Sequence, residues 1–228
     1  MPVIVMSSPK GGAGKTTAAT ILATELAQRG ASVTIIDGDP NRNVVDWAKL
    51  GGVPPTLTVI GDVTEDTIVD HIEAASSTST FVVIDLEGTA NLMVSYAISM
   101  ADFVLIPVQG SQMDAKQAAR QIRLIRDQER VTRRKIQFAV VFTRTSPAVT
   151  PKTLRHIAER LVELGVPVLK SQLYDREAFR ALFSYGGTLE GLRSRGVSNL
   201  DAAVNNARAL TAEVIEHLRA GAPVEEAA

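Results

Sequence analysis

Pro9-Lys10-Gly11-Gly12-Ala13-Gly14-Lys15-Thr16-Thr17 follows a short apolar run, Val3 to Met6, and precedes a helical pattern from Thr16 to Arg29. A strand, a glycine-rich loop and a helix in that order are the context a phosphate-binding loop requires. Its glycines let consecutive backbone N–H groups converge on phosphate oxygens, and the helix N-terminus adds positive potential. Lys15 is placed to reach β- and γ-phosphates and the Thr16 hydroxyl to ligate Mg²⁺, while Gly11, Gly12, Ala13, Gly14 and Thr17 complete the expected nucleotide-binding set. The strict Walker pattern fails at its first glycine, where Pro9 stands, and a second lysine, Lys10, comes next.

Outward from the loop, short β-branched runs alternate with helical patterns. Val33 to Ile36, Phe81 to Ile84, Phe103 to Ile106 and Ile136 to Phe142 read as buried parallel strands, with Leu57 to Ile60 as an edge strand. Helical patterns span Thr64 to Ala74, Asp114 to Arg130, Thr150 to Leu164 and Asn199 to Arg219. This alternation predicts an α/β fold, a doubly wound, mostly parallel sheet with helices on both faces, of the P-loop NTPase type. No internal repeat and no Pro-, Gly- or Ser-rich linker divides the chain, so one P-loop domain is expected over residues 1–220, with 221–228 as a disordered tail. Asp37, Asp39 and Asp85 follow apolar strands, and an acid at the carboxyl end of a buried parallel strand projects into the crevice where phosphates bind. Two lysines and these carboxylates supply the charge neutralisation and water positioning that phosphoryl transfer needs. Asp37 also reads as a brace for its loop, and Asp85 as a helix cap at a strand end.

Lys10 together with Gly11 to Thr17 resembles the deviant Walker A loop of the ParA/MinD superfamily of P-loop ATPases, and the resemblance covers nearly the whole chain. Ile35-Ile36-Asp37-Gly38-Asp39-Pro40 is similar to that superfamily's switch I strand end, and Val83-Ile84-Asp85 to its Walker B strand. The resemblance implies ATP and Mg²⁺ as cofactors. It also implies that Lys10 reaches across an ATP-sandwich homodimer to the partner's phosphates, that Asp39 orients the attacking water, and that Asp85 holds the Mg²⁺ shell. Lys10, Lys15 and Asp39 are then the catalytic set, and Thr16 and Asp85 the metal set. After Asp85 the chain reads Leu86-Glu87-Gly88, where many ParA proteins have small residues and proline. Glu87 reads as a residue tuning water or magnesium, or as a salt-bridge acid. Arg144, after Thr143, stands at a family position whose loop often touches the nucleotide base or ribose.

The absence of cysteine excludes disulfides, thiolate-held zinc, cysteine-ligated clusters and a thiol nucleophile. Within the superfamily this removes the nitrogenase iron-protein relatives and the iron–sulfur scaffold ATPases. A hydrophobic content of 45% supports a substantial core and rules out wholesale disorder. No apolar run approaches the roughly 18–20 residues that cross a bilayer, and Met1-Pro2-Val3-Ile4 lacks the basic region of a secretory signal, so a cytoplasmic protein is expected. MinD-type proteins finish in a basic amphipathic helix, whereas Val224-Glu225-Glu226-Ala227-Ala228 would be repelled by anionic lipid, so no membrane partner is expected. The few residues before Lys10 leave no room for the helix-turn-helix extension of the larger ParA proteins, so that type is not expected. The resemblance narrows to the small ParA type, including VirC-like proteins.

A net charge of −1 conceals an asymmetry: 16 of the 24 Lys and Arg lie between Arg120 and Arg195, with seven acids, leaving this segment at +9 and the remainder at −10. Polyanions are drawn to such a segment. Arg120, Arg123, Arg126 and Arg130 fall on one helical stripe, extended by Arg133-Arg134-Lys135. Arg176, Arg180, Arg193 and Arg195 form the second basic group and are the expected contacts to non-specific DNA. The first stripe reads as a DNA contact, a subunit contact or a solvated helix face. His71, His156 and His217 stand at no ligand spacing, and Trp47 reads as a core anchor behind switch I.

The expected protein is therefore a weak, partner-stimulated ATPase. It forms an ATP-bound dimer, associates with the nucleoid in that state, and positions a plasmid, chromosome region or other cargo. Two other readings remain: a biosynthetic ligase resembling dethiobiotin synthetase, and an ATP-gated adaptor in conjugative DNA transfer.

Overall fold

Runs such as Val3–Met6 and Phe103–Val108 leave no polar side for water, so they occupy the middle of a sheet covered on both faces. The computed structural model, which describes residues 1–88 and 91–221, shows seven parallel strands ordered β3-β2-β4-β1-β5-β6-β7. They are β1 (Val3–Met6), β2 (Val33–Gly38), β3 (Leu57–Ile60), β4 (Phe81–Leu86), β5 (Phe103–Val108), β6 (Gln137–Thr145) and β7 (Leu173–Tyr174). The helices are α1 (Lys15–Gln28), α2 (Asn43–Lys49), α3 (Ile68–Thr78), α4 (Leu92–Met100), α5 (Gln112–Thr132), α6 (Lys152–Glu163), α7 (Glu177–Tyr185) and α8 (Leu200–Gly221), with a 3-10 helix over Glu190–Arg195.

Side-chain alternation along the strands divides the core in two. Ile4, Met6, Val33, Ile35, Val83 and Leu105 pack on one face with α1, α2, α7 and α8. Val5, Ile36, Val82, Ile84 and Val104 pack on the other with α3 to α6. The chain leaves β1 toward β2 on one side and later returns to β5 on the other, so the crevice above β1 is the topological switch point of the sheet.

The doubly wound parallel sheet expected from the sequence is present. Strands β2 and β4 run two residues beyond their apolar runs, which carries Asp37 and Asp85 into the ladder as direct neighbours, with Met6 beside Asp85. Helix α3 starts four residues later than its pattern, because the Thr67 hydroxyl accepts the Thr64 N–H at 3.0 Å and holds residues 64–67 in a turn. The sequence reading missed α2, α4, α7, β7 and the 3-10 helix. Most of these are short, and α4 opens with the unbroken apolar run Leu92-Met93-Val94, which has no helical period to detect. Apart from Gly221, which ends α8, the expected tail 221–228 lies outside the described residues.

Candidate nucleotide site

The loop between β1 and α1 takes its shape from two glycines in the left-handed region, Gly12 (φ 74°) and Gly14 (φ 93°), which non-glycine residues adopt only at a cost. Thr143 of β6 clamps it: its hydroxyl donates to the Ala13 carbonyl at 2.6 Å, and a Cβ on Gly14 would meet the Thr143 side chain at 3.4 Å. On the opposite side, a Cβ on Gly88 would lie 3.1 Å from the Gly11 nitrogen, so the loop after β4 rests directly on the phosphate loop. Helix α1 starts at Lys15, with its free N–H groups facing the crevice.

Lys15, Thr16, Thr17, Asp39, Glu87 and Arg144 are among the residues lining a cleft of about 630 Å³ above β1. Lys15 is buried, and among the described residues its ammonium reaches only the Lys10 carbonyl, at 3.4 Å. Burial pushes it below its ordinary range, while Asp85, Asp39 and Glu87 pull it upward without cancelling the effect. A cation so poorly solvated gains from an anion entering the cleft.

The three acids at the strand ends hold different environments. Asp37 Oδ2 accepts the N–H groups of Val44 (2.9 Å) and Val45 (3.0 Å), and Oδ1 accepts that of Asp39 (3.2 Å). It therefore caps α2 from the neighbouring strand, where no residue of the helix's own N-terminus does so. Burial pushes its carboxyl up against those three donors. Asp39 lines the cleft and accepts from the Asn41 backbone and side chain, both at 2.9 Å. Asp85 is fully buried, and among the described residues neither of its oxygens has a hydrogen-bond partner of normal geometry. Burial pushes its carboxyl up to about 7, against the pull of the adjacent Thr16 hydroxyl and Lys15 ammonium. Two orphaned carboxylate oxygens beside a threonine hydroxyl form a hard oxygen set that suits Mg²⁺, which takes few protein ligands and completes its shell with phosphate and water. No group of three His, Asp or Glu side chains among the described residues forms a metal cage by itself.

Lys10 turns away from the cleft. Its ammonium lies 2.8 Å from Asp114 Oδ1 and donates to Gln109 Oε1 at 2.8 Å, while the Gln109 amide donates back to the Gly12 carbonyl at 2.9 Å. Asp114 also forms a capping box with Ser111 at the start of α5. Burial alone would raise its carboxyl, but the Lys10 ammonium and Ser111 hydroxyl outweigh burial and hold it below the usual range.

A second cavity of about 360 Å³ shares Gly14, Thr17, Arg144 and Phe183 with the cleft and extends it toward Tyr174 and Arg176. Arg144 is exposed at the end of β6 in the left-handed region (φ 52°) and lines both spaces. The four arginines expected to contact DNA are separated. Arg176, stacked over the Tyr174 ring at 5.4 Å, and Arg180, paired with Asp175 and Glu177, line this second cavity. Arg193 and Arg195 lie on the exposed 3-10 helix, the first paired with Asp201 at 2.6 Å and the second over the Tyr185 ring at 5.4 Å.

Family comparison agrees with this geometry. Residues 4–189 match the model of the CobQ/CobB/MinD/ParA nucleotide binding domain. The chain belongs to this family of P-loop ATPases. It is 44% identical to Protein ParA of Rhizobium radiobacter over 218 residues, covering 96% of this chain and 98% of that protein. It is 30% identical to the maintenance of carboxysome distribution protein A of Halothiobacillus neapolitanus, covering 87% and 91%. An ATP complex of Cyanothece McdA has the same fold, with a TM-score of 0.71 at 18% identity and coverage of 92% and 96%.

Several site residues were not anticipated from the sequence. Gln109 and Asp114 hold Lys10 from about 100 residues away, Ser111 bonds Asp114 in turn, and Tyr174, Phe179 and Phe183 wall the second cavity. Ser111-x-x-Asp114 is a legible capping signal, but nothing local pairs it with a lysine in the phosphate loop. Trp47 is buried as expected, and it also lines the cleft and donates its indole N–H to the Gly187 carbonyl at 3.1 Å, tying α2 to the turn after α7.

Proposed function

We propose that this chain is a single-domain, Mg²⁺-dependent ATPase over residues 1–220 that dimerises around ATP, binds DNA without sequence preference in that state, and positions a plasmid or other cargo. A partner protein stimulates its hydrolysis, and it resides in the cytoplasm on the nucleoid when ATP-bound. The observation that carries the reading is the division of labour between two lysines of one loop. Lys15 lies buried under the cleft, as a cation for phosphates bound in cis, whereas Lys10 is held at the outer rim by Asp114, where a partner's phosphates can claim it. The 44% identity to a ParA protein along nearly the whole chain supports partition over biosynthetic ligation.

In this reading the backbone N–H groups of Gly11 to Thr17 and Lys15 bind the phosphates, and Arg144 with the second cavity receives the ribose and base. Thr16 and Asp85 would hold Mg²⁺, and the ion would supply charge neutralisation for the phosphates. Asp39, exposed to the cleft and anchored through Asn41, orients a water whose oxygen bonds to the γ-phosphorus as the bond to the bridging oxygen breaks; ADP leaves with that oxygen and both water protons stay on the released phosphate. Among the described residues no helix is long and apolar enough to cross a membrane.

The test is duplex binding by the full chain with ATP, ADP and no nucleotide, alongside Asp39→Ala. DNA binding is expected with ATP alone, and Asp39→Ala is expected to remain DNA-bound while hydrolysing ATP at least tenfold more slowly. Equal DNA binding in all three nucleotide conditions, or hydrolysis by Asp39→Ala at the wild-type rate, refutes the proposal.

A further inference from the structure

Helix α5 carries a row of cations that the nucleotide site does not use. Lys116, Arg120 and Arg123 are spaced four and three residues apart, so they share one stripe, and Arg130 extends it. All four are exposed, while Ala118, Gln121 and Ile125 bury the opposite side of the helix. At 1.5 Å per residue, Lys116 to Arg130 spans about 21 Å, the axial length of about six base pairs. Arg133 then ends the helix in the left-handed region (φ 54°) and adds a further exposed cation.

What distinguishes this row is its shortage of counter-charges. Lys116, Arg120, Arg123 and Arg133 have no carboxylate within ion-pair distance among the described residues, and Arg130 pairs only with the exposed Asp127. Neighbouring basic residues are committed to the protein. Arg126 pairs with the nearly buried Glu129 and stacks over Phe138, and Arg134 donates to the carbonyls of Ser99 and Ala101. The C-terminal basic group is committed differently: Arg180 is held by two acids and Arg193 by Asp201, while Arg176 and Arg195 stack over the Tyr174 and Tyr185 rings, and nearby Arg208 pairs with Glu190. A polyanion approaching Arg180, Arg193 or Arg208 must displace carboxylates, whereas along α5 only Arg130 among the described residues of the row has one to give up.

Resting on the DNA-binding reading above, we propose that the exposed stripe of α5, Lys116, Arg120, Arg123 and Arg130 continued by Arg133, is the surface that lies along the phosphate backbone of duplex DNA. Guanidinium groups suit phosphate oxygens, and a row that makes backbone contacts carries no sequence preference. The apolar side of α5 is consumed by the core, so the helix has no apolar face to insert into a lipid surface.

The experiment measures affinity of the ATP-bound full chain for a random duplex by fluorescence anisotropy across a salt series, for wild type and Arg120→Gln/Arg123→Gln/Arg133→Gln. These side chains are exposed and glutamine is a good helix former, so melting and DNA-free ATP hydrolysis should match wild type. Each lost phosphate contact removes about 0.9 from the slope of log affinity against log salt, so the triple variant should be flatter by about 2.7 and bind at least tenfold more weakly. Replacement of the same three residues by lysine should keep most of the slope. If wild type binds DNA and the glutamine variant keeps both affinity and slope, the α5 surface is wrong while the DNA reading survives. Failure of wild type to bind DNA with ATP removes that reading itself. Unchanged DNA binding together with lost binding to phosphatidylserine–phosphatidylcholine vesicles also overturns the proposal, by making the stripe a lipid contact.

Discussion

Binding of Mg²⁺·ATP should expel a proton from Asp85, with a pH profile dictated by the burial of that carboxyl. In the nucleotide-free protein burial holds it at about 7, so the proton is largely present just below neutrality. The carboxyl is then mostly protonated at pH 6 and mostly ionised at pH 8. A metal takes the ionised carboxylate, so Asp85 should release most of a proton per site at pH 6 and little at pH 8. Affinity for Mg²⁺·ATP should then fall below pH 7 by up to about tenfold, or 1.4 kcal/mol, per pH unit. For stability the direction is set by the raised folded value. The contribution of protonated Asp85 to the nucleotide-free fold is fully present below the ordinary value of 3.8 and is lost as pH rises through about 7. Titration calorimetry of Mg²⁺·ATP binding in buffers of different ionisation enthalpy counts the protons, with the nucleotide's own release measured in a magnesium titration without protein. Proton release that does not change between pH 6 and 8, or that persists undiminished in Asp85→Asn, would refute the assignment of this carboxylate to the metal.

Two further outcomes follow from contacts the fold brings together. Asp114→Asn preserves a capping side chain but weakens the hold on Lys10, so sedimentation should show the ATP-dependent dimer forming at lower protein concentration than in wild type; an unchanged or higher threshold means Asp114 does not restrain that lysine. Trp47→Phe leaves the Gly187 carbonyl without its buried donor, which should cost about 1–3 kcal/mol and lower the melting temperature by at least a few degrees. An unchanged melting temperature would show that the indole N–H contributes nothing to the junction of α2 and α7.

Local chemistry made the phosphate loop and the parallel strands legible in the sequence. Glycines at positions 11, 12 and 14 between an apolar run and a helical pattern allow few other structures, because the loop's conformation is fixed by backbone freedom within a few residues. The acids at 37, 39 and 85 were readable for the same reason, standing at the carboxyl ends of the apolar runs of β2 and β4. Assignments that depend on where distant segments meet were not readable. Arg176 and Arg193 are equally basic in the sequence, yet the sheet edge carries Arg176 to a cavity beside the phosphate loop, and the 3-10 helix leaves Arg193 outside, paired with Asp201. The partner of Lys10 lies 104 residues away and is chosen by the adjacency of β1 and β5, which sets the start of α5 beside the loop. Even the perturbed carboxyl of Asp85 arises from tertiary structure, since only the covering of β4 on both faces removes its water. Pattern thus determined which chemical groups this chain carries at its strand ends, while sheet order and packing decided which of them share a solvent-excluded space and which cations remain free for another molecule.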